Sequence, residues 1–269
     1  IMEYKIVIGD SRHLQENDNS IHLVITSPPY YLGKEYELEL YSNYNEYLQL
    51  CYDVWKECYR VLVPGGHLCI NCIDNPIKGI EHKEGYHRRP TGAYFTLYNI
   101  KLGFLFMGHI LWKNIKSKTS TGGCTTVMGS YPYPPRPILK LDSEDIYIFR
   151  KPGKRNYSKE QKYKSKLSLQ DWLLYCDNIW TFPGTKQDRG HPAVFPEELP
   201  RRLIRLYSFY NDTILDPFLG SGTTMKVARE LRRNCIGYEI NKKYLPLILE
   251  KIGYYQTSLL EQDSFFIEE

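Results

Sequence analysis

Thr213-Ile214-Leu215-Asp216-Pro217-Phe218-Leu219-Gly220-Ser221-Gly222-Thr223-Thr224 reads as an apolar strand, a tight Gly-x-Gly turn and the start of a helix. Glycines at 220 and 222 let the backbone approach a ligand, and an open helix N-terminus presents N–H groups without helical partners. A second apolar run, 235–239, ends in the carboxylate of Glu239, nineteen residues after Gly220. There it can accept hydrogen bonds from both hydroxyls of a ribose. No third glycine stands in dinucleotide register and no Gly-Lys-Ser/Thr follows, which disfavours a pyrophosphate or triphosphate cradle. The spacing fits adenosine; a merely tight strand–helix turn is the plainer alternative.

Outward from this stretch, short apolar runs alternate with helical patterns, which predicts a mainly parallel sheet covered by helices. Strands are expected over 4–8, 22–26, 67–72, 109–112, 146–150, 213–216 and 235–239, and helices over 44–62, 93–102, 197–210, 223–232 and 242–252. Residues 74–92 and 115–144 are rich in Gly, Pro, Ser, Thr and charge and break that rhythm, as functional loops do.

His22-Leu23-Val24-Ile25-Thr26-Ser27-Pro28-Pro29-Tyr30 is a strand running into Ser-Pro-Pro-Tyr. Two prolines fix the backbone and lack N–H groups, so carbonyls can face a ligand without a helix forming. Ser27 Oγ and the Pro28 carbonyl could accept the two hydrogens of an aromatic amine, with Tyr30 stacking on the ring. A proline-rich turn with a packing tyrosine is the alternative. The C-terminal end of an α/β strand, where such sheets bind ligands, favours the site.

The chain has 269 residues and a formal net charge of +4, unevenly spread. Residues 75–190 hold 20 Lys plus Arg against 9 Asp plus Glu, a balance of +11, and the remainder carries −7. Lys151, Lys154, Arg155, Lys159, Lys162, Lys164 and Lys166 surround a single Glu160, a candidate polyanion surface rather than a plain solvated face. Seven scattered cysteines do not form a disulfide framework. Cys69 and Cys72 make one C-x-x-C in an apolar run, read as core filling, and no metal is expected. No run of some twenty apolar residues appears, so no membrane partner is expected and cytoplasm is the default compartment.

Ser-Pro-Pro-Tyr together with Asp-Pro-Phe-Leu-Gly-Ser-Gly-Thr-Thr resembles the amino-group DNA methyltransferases of restriction–modification systems, in the permuted order of their beta class. Gly9-Asp10-Ser11, Arg60-Val61-Leu62-Val63-Pro64-Gly65-Gly66 and His191-Pro192-Ala193-Val194-Phe195-Pro196 extend the resemblance over roughly nine-tenths of the chain. It implies a Rossmann-like S-adenosylmethionine-dependent methyltransferase sheet, circularly permuted, with a basic target-recognition insertion. Residues 1–74 and 191–269 would form the catalytic and cofactor-binding core, and 75–190 would add core strands and the DNA-binding region.

Residue by residue, the resemblance implies that Ser27, Pro28, Pro29 and Tyr30 are catalytic. Asp216, Phe218, Gly220, Gly222 and Thr223 would surround S-adenosylmethionine. Glu239 would hold its ribose, Asp10 its adenine amino group, and Phe195 would close over the methionine end. Permutation makes 4–8 the strand next to 235–239. Arg88, Arg89, Lys116, Lys118, Arg136, Lys159, Lys162 and Lys164 are the candidate contacts to double-stranded DNA. The resemblance also leaves room for a homodimer and for a cognate restriction endonuclease acting on the same site, and the sequence decides neither. A hydroxyl at position 27 favours cytosine N4 over adenine N6. No cysteine follows a proline, which argues against carbon-5 methylation. A methyltransferase of protein or small molecules, and a silent DNA-binding module, are the readings of other classes.

Overall fold

The computed structural model describes residues 2–31, 40–76, 87–114, 132–133, 139, 142–185, 195–255 and 263–268. Eleven strands are assigned among them: β1 Glu3–Ile8, β2 Ile21–Thr26, β3 Leu62–Cys72, β4 Asn75–Pro76, β5 Arg88–Arg89, β6 Leu105–Asn114, β7 Ser143–Arg150, β8 Ile179–Phe182, β9 Thr213–Asp216, β10 Asn234–Glu239 and β11 Ser264–Glu268. The helices are α1 Tyr44–Val61, α2 Thr91–Leu102, α3 Lys159–Lys164, α4 Leu169–Cys176, α5 Glu198–Tyr207, α6 Thr223–Glu230 and α7 Leu245–Lys251.

Nine strands form one sheet in the order β11-β1-β10-β9-β2-β3-β7-β6-β8, and β4 pairs with β5 alone. From β11 to β3 every neighbour is parallel, whereas β7 lies antiparallel between β3 and β6. The expected permutation is visible in the register: Tyr4 pairs with Cys235 and Ile8 with Glu239, so the first strand joins the strand bearing the predicted ribose carboxylate.

Alternation along the strands feeds a core on each face. Ile6, Leu23, Ile25, Cys69 and Ile214 pack with Leu199, Leu203, Val227 and Ile248 of α5, α6 and α7. Val7, Val24, Leu68, Cys72 and Leu215 pack with Leu48, Val54, Trp55 and Phe95 of α1 and α2. Cys69 and Cys72 therefore enter different cores, as the three-residue offset in a strand requires, and do not converge on one ion.

Some boundaries differ from the sequence reading, each for a local reason. β3 starts at Leu62 directly after α1, and Pro64-Gly65-Gly66 becomes an irregularity within the strand: Ile21 pairs with Leu62 but Leu23 with His67. Gly65 takes a left-handed φ of 82° and its N–H reaches Lys151 O at 3.0 Å. The expected helix over 242–252 splits into a 3-10 turn, Lys242–Tyr244, and α7. α3, α4, β8 and β11 were not expected; β11 adds an edge beyond β1.

Candidate active site

The loops after β1, β2, β9 and β10 all leave the C-terminal ends of parallel strands and enclose one cavity of about 340 Å3. This lies in the range of small-molecule pockets, roughly 300–1,000 Å3. Ser27, Pro28, Pro29, Tyr30, Asp10, Phe195, Phe218, Gly220, Thr223 and Glu239 line it, so the structure brings most of the predicted catalytic and cofactor residues together. Asp216 and Gly222 stand behind the lining.

Gly220 and Gly222 have φ of 54° and 84°, the conformation that favours glycine, and Gly222 is the N-cap of α6 without a side-chain cap. Glu239 faces the turn: its Oε2 accepts the Gly220 N–H at 2.9 Å and its Oε1 the Asn241 N–H at 2.8 Å. Burial pushes its carboxyl up to about 7 despite these hydrogen bonds. Beneath the turn, the fully buried Asp216 accepts from Thr26 Oγ1 at 3.0 Å, Thr224 Oγ1 at 2.6 Å and Phe218 N at 3.1 Å. Asp216 thereby ties β2, β9 and α6 into one rigid floor. Desolvation raises its carboxyl to about 6, against the pull of those donors.

Asp10 lines the cavity but its carboxylate is engaged by Arg12, with Nε at 2.8 Å and Nη2 at 2.5 Å from Oδ2. Burial raises its carboxyl, and the Arg12 hydrogen bonds and charge outweigh that, holding it below its ordinary value. Lys251 reaches the turn from α7, its Nζ at 2.8 Å from Ser221 Oγ and 3.0 Å from Thr223 Oγ1.

At the other side of the cavity, Ser27 Oγ lies 2.7 Å from Tyr30 Oη, which donates to Glu144 Oε2 at 2.8 Å. Asn71 Nδ2 donates to both Tyr30 Oη and Glu144 Oε2, at 2.8 and 2.7 Å. Glu144, Trp112 and Asn114 come from β6 and β7 and line the same cavity. The sequence reading missed Asn71, Glu144, Trp112, Asn114, Tyr244 and Lys251. They carry no motif: Asn71, Glu144, Trp112 and Asn114 arrive through strand pairing such as Trp112 opposite Glu144, and Tyr244 and Lys251 through the helical segments after β10.

The candidate DNA contacts divide. Arg88 and Arg89 form β5 near the cavity end of the sheet; the Arg89 guanidinium lies 5.1 Å from the Tyr31 ring and 4.5 Å from the Tyr44 ring, and Arg88 Nη2 donates to Leu139 O at 2.5 Å. Lys159, Lys162 and Lys164 occupy α3, which packs on the residues preceding β9: Gln161 Nε2 donates to Tyr210 O, and Lys164 lies over the Tyr210 ring. That is the N-terminal end of the parallel strands, opposite the cavity. Lys116, Lys118, Arg136 and His191–Val194 lie outside the described residues.

The family described as DNA methylase (N6_N4_Mtase) matches residues 21–250. The Type II methyltransferase M.MjaI of Methanocaldococcus jannaschii is 39% identical over 95% of this chain and 93% of its own length. M.HpaI of Haemophilus parainfluenzae is 30% identical over 93% of this chain and 74% of its own length. Among solved structures, TTHA0409 of Thermus thermophilus, a putative DNA modification methylase complexed with S-adenosyl-L-methionine, superposes with a TM-score of 0.80 at 31% identity, covering 99% of this chain and 98% of that one. The PvuII DNA methyltransferase (cytosine-N4-specific) shares the fold, with a TM-score of 0.67 at 20% identity and coverage of 96% and 90%. With the family matched from Ile21 to Glu250 and its motif residues gathered around one cavity, this chain belongs to the N6/N4 DNA methylase family.

Proposed function

We propose that the chain methylates the exocyclic N4 amine of cytosine in duplex DNA, with S-adenosylmethionine as methyl donor and the target base taken out of the stack. The observation that carries this reading is the Ser27 hydroxyl, held at the end of a hydrogen-bonded network on the wall of the cavity that Glu239 and the Gly220 turn also line.

The residues present fit the methyl donor. A carboxylate has about four acceptor positions. Gly220 N–H and Asn241 N–H each take one position, on different oxygens, and the remaining lone pairs face the ribose hydroxyls. Left-handed φ at Gly220 and Gly222 forms the tight turn, and a Cβ at Gly222 would press on Ile248 of α7 at 3.1 Å. Phe218, Phe195 and Tyr244 supply apolar and aromatic walls. Asp10, already bound to Arg12, can receive an amino group only through lone pairs that Arg12 leaves or after Arg12 moves. When bound, S-adenosylmethionine supplies an electrophilic sulfonium methyl group.

The lone pair of an aromatic amine is delocalised into the ring, so the amine needs hydrogen-bond acceptors that hold it with that lone pair directed at the methyl carbon. Tyr30 spends its proton on Glu144, so the Ser27 hydroxyl donates to Tyr30 and turns its lone pairs to the cavity. Ser27 thus acts as an acceptor for one amine hydrogen, and rigid Pro28 offers a carbonyl for the other. Tyr30 is fixed by its hydroxyl as well as by packing, which steadies its ring as a wall for the base. Cytosine is preferred to adenine because the acceptor at 27 is a hydroxyl rather than the amide or carboxylate more usual in adenine-acting relatives.

Incubation with methyl-labelled S-adenosylmethionine tests the reading against its rivals. Label is expected in duplex DNA and not in denatured protein or small molecules. Absence of label from DNA would remove the proposal.

A further inference from the structure

We propose that Glu144 is the terminal acceptor of the proton lost by the target amine, reached through Ser27 and Tyr30. The inference rests on the amino-methylation reading above and adds to it a path for the proton.

The direction of every hydrogen in the chain follows from valence. A carboxylate only accepts, so the 2.8 Å contact places the Tyr30 proton on the Glu144 side. Tyr30 has no second proton, so Ser27 is the donor across 2.7 Å. Asn71, buried on β3, uses both amide hydrogens, one on Tyr30 Oη and one on Glu144 Oε2. Its Oδ1 meets no donor among the described residues, and a flipped amide would set that oxygen against the carboxylate, so donation alone fixes its orientation. Asn71 therefore holds the Tyr30 hydroxyl and the Glu144 carboxylate in one geometry while leaving the route from Ser27 to Glu144 continuous.

The chemistry needs such a route. As the nitrogen–methyl bond forms and the carbon–sulfur bond breaks with its pair retained by sulfur, positive charge develops on the nitrogen and one N–H is lost in the same step. That proton passes to Ser27 Oγ as Ser27's passes to Tyr30 Oη and Tyr30's to Glu144, which becomes a neutral carboxylic acid. No heavy atom needs to move. Burial, and next the negative charge of Glu144, hold the Tyr30 hydroxyl well above its ordinary range, so it passes a proton on without resting as a phenolate. Glu144 is partly buried but lines the cavity, and can return its proton to solvent once product leaves.

Glu144→Gln keeps an acceptor for Tyr30 and removes the base. With enzyme in excess, so that one turnover is observed, its methylation rate should fall about 100-fold or more, in the range of general-base effects. Calorimetric affinities for S-adenosylmethionine and for duplex DNA should stay within about twofold, a readout independent of turnover. With S-adenosylmethionine saturating at every pH, the wild-type rate should show an acidic limb that Glu144→Gln lacks. Tyr30→Phe should slow the step comparably, and the double variant should be little slower than the slower single one, because both lie on one path. A Glu144→Gln or Tyr30→Phe rate within about threefold of wild type, or an acidic limb that persists in Glu144→Gln, overturns the relay. Should Glu144→Gln fail to fold, Tyr30→Phe alone decides. A wild-type chain that places no methyl on a DNA amine sinks the parent reading and the relay with it; an active wild type with a full-rate variant sinks the relay alone.

Discussion

Both oxygens of Glu239 already hold a backbone N–H, so its carboxylate is oriented before any ligand arrives, and its partial burial raises it to about 7. Asp216 beneath it is raised to about 6. The folded chain thus binds these protons more tightly than the unfolded chain, and the stability they contribute is present at low pH and lost as pH rises through about 6 to 7. Thermal unfolding of the ligand-free protein should show that loss, and Glu239→Gln should lessen it. Ligand affinity should move oppositely: ribose hydroxyls need the ionised carboxylate, so calorimetry should find S-adenosylmethionine binding tighter as pH rises to about 7, with proton release below it. Glu239→Ala should weaken binding roughly tenfold to a hundredfold, the worth of about 1.5–3 kcal/mol of charged hydrogen bonding; unchanged affinity would remove Glu239 from the site. Ser27→Ala should behave differently, lowering the single-turnover rate by roughly 100-fold with cofactor affinity kept, because in the proposed site Ser27 would hold the amine and not the adenosine. Full turnover in that variant would show that Ser27 does not hold the base.

Elements whose pattern is local were legible in the sequence, and those defined by their neighbours were not. α1 shows why: Asn43 caps it by accepting the Glu46 N–H, and Tyr47, Cys51, Val54, Trp55 and Cys58 recur at helical spacing on its buried side. β9, the Gly220 turn and α6 were likewise readable from one run of residues. β8 and β11 are short edge strands, and Ile179, Phe266 and Ile267 remain exposed, so their apolar pattern gives little signal apart from pairing with β6 and β1. α3 did carry a local signal that went unused, a capping box between Ser158 and Gln161. Within the site, Ser27 and Glu239 follow motifs, whereas Asn71 and Glu144 meet Tyr30 only because β7 inserts antiparallel beside β3. β11 is clamped to α6 through Asp263, 1% exposed, which binds Arg229 at 3.0 Å and Arg232 at 3.5 Å. Arg229→Ala should cost ~3 kcal/mol, at the low end for a broken buried pair because Arg232 remains; denaturant unfolding within about 0.5 kcal/mol of wild type, the size of ordinary surface substitutions, would show the clamp idle.

Across the whole molecule, the described cations among residues 75–190 do not form one surface. Lys151 caps the end of α1, its Nζ at 2.7 Å from both Tyr59 O and Leu62 O, and Arg155 pairs with the buried Asp212. These cations hold the N-terminal end of the sheet together, and α3 with Lys159, Lys162 and Lys164 packs at that end. Leu40, Asn114, Thr185 and Phe195, by contrast, line the cavity at the opposite end of the parallel strands. On the proposed function, DNA that delivers a base to Ser27 would approach the cavity end of the sheet, the end at which β4, paired with β5 and its Arg88, follows β3. Arg88→Gln should therefore lower the slope of log affinity against log salt by about one, while neutralising Lys159, Lys162 and Lys164 together should leave it unchanged; the reverse result would place the phosphate track on α3. The central claim, transfer to the cytosine amine, is tested most directly by mass spectrometry of the nucleosides released from duplex DNA after incubation with the chain and S-adenosylmethionine. N4-methylcytosine is the predicted product; N6-methyladenine alone would contradict the choice of base while keeping the amino-group chemistry, and 5-methylcytosine would contradict both.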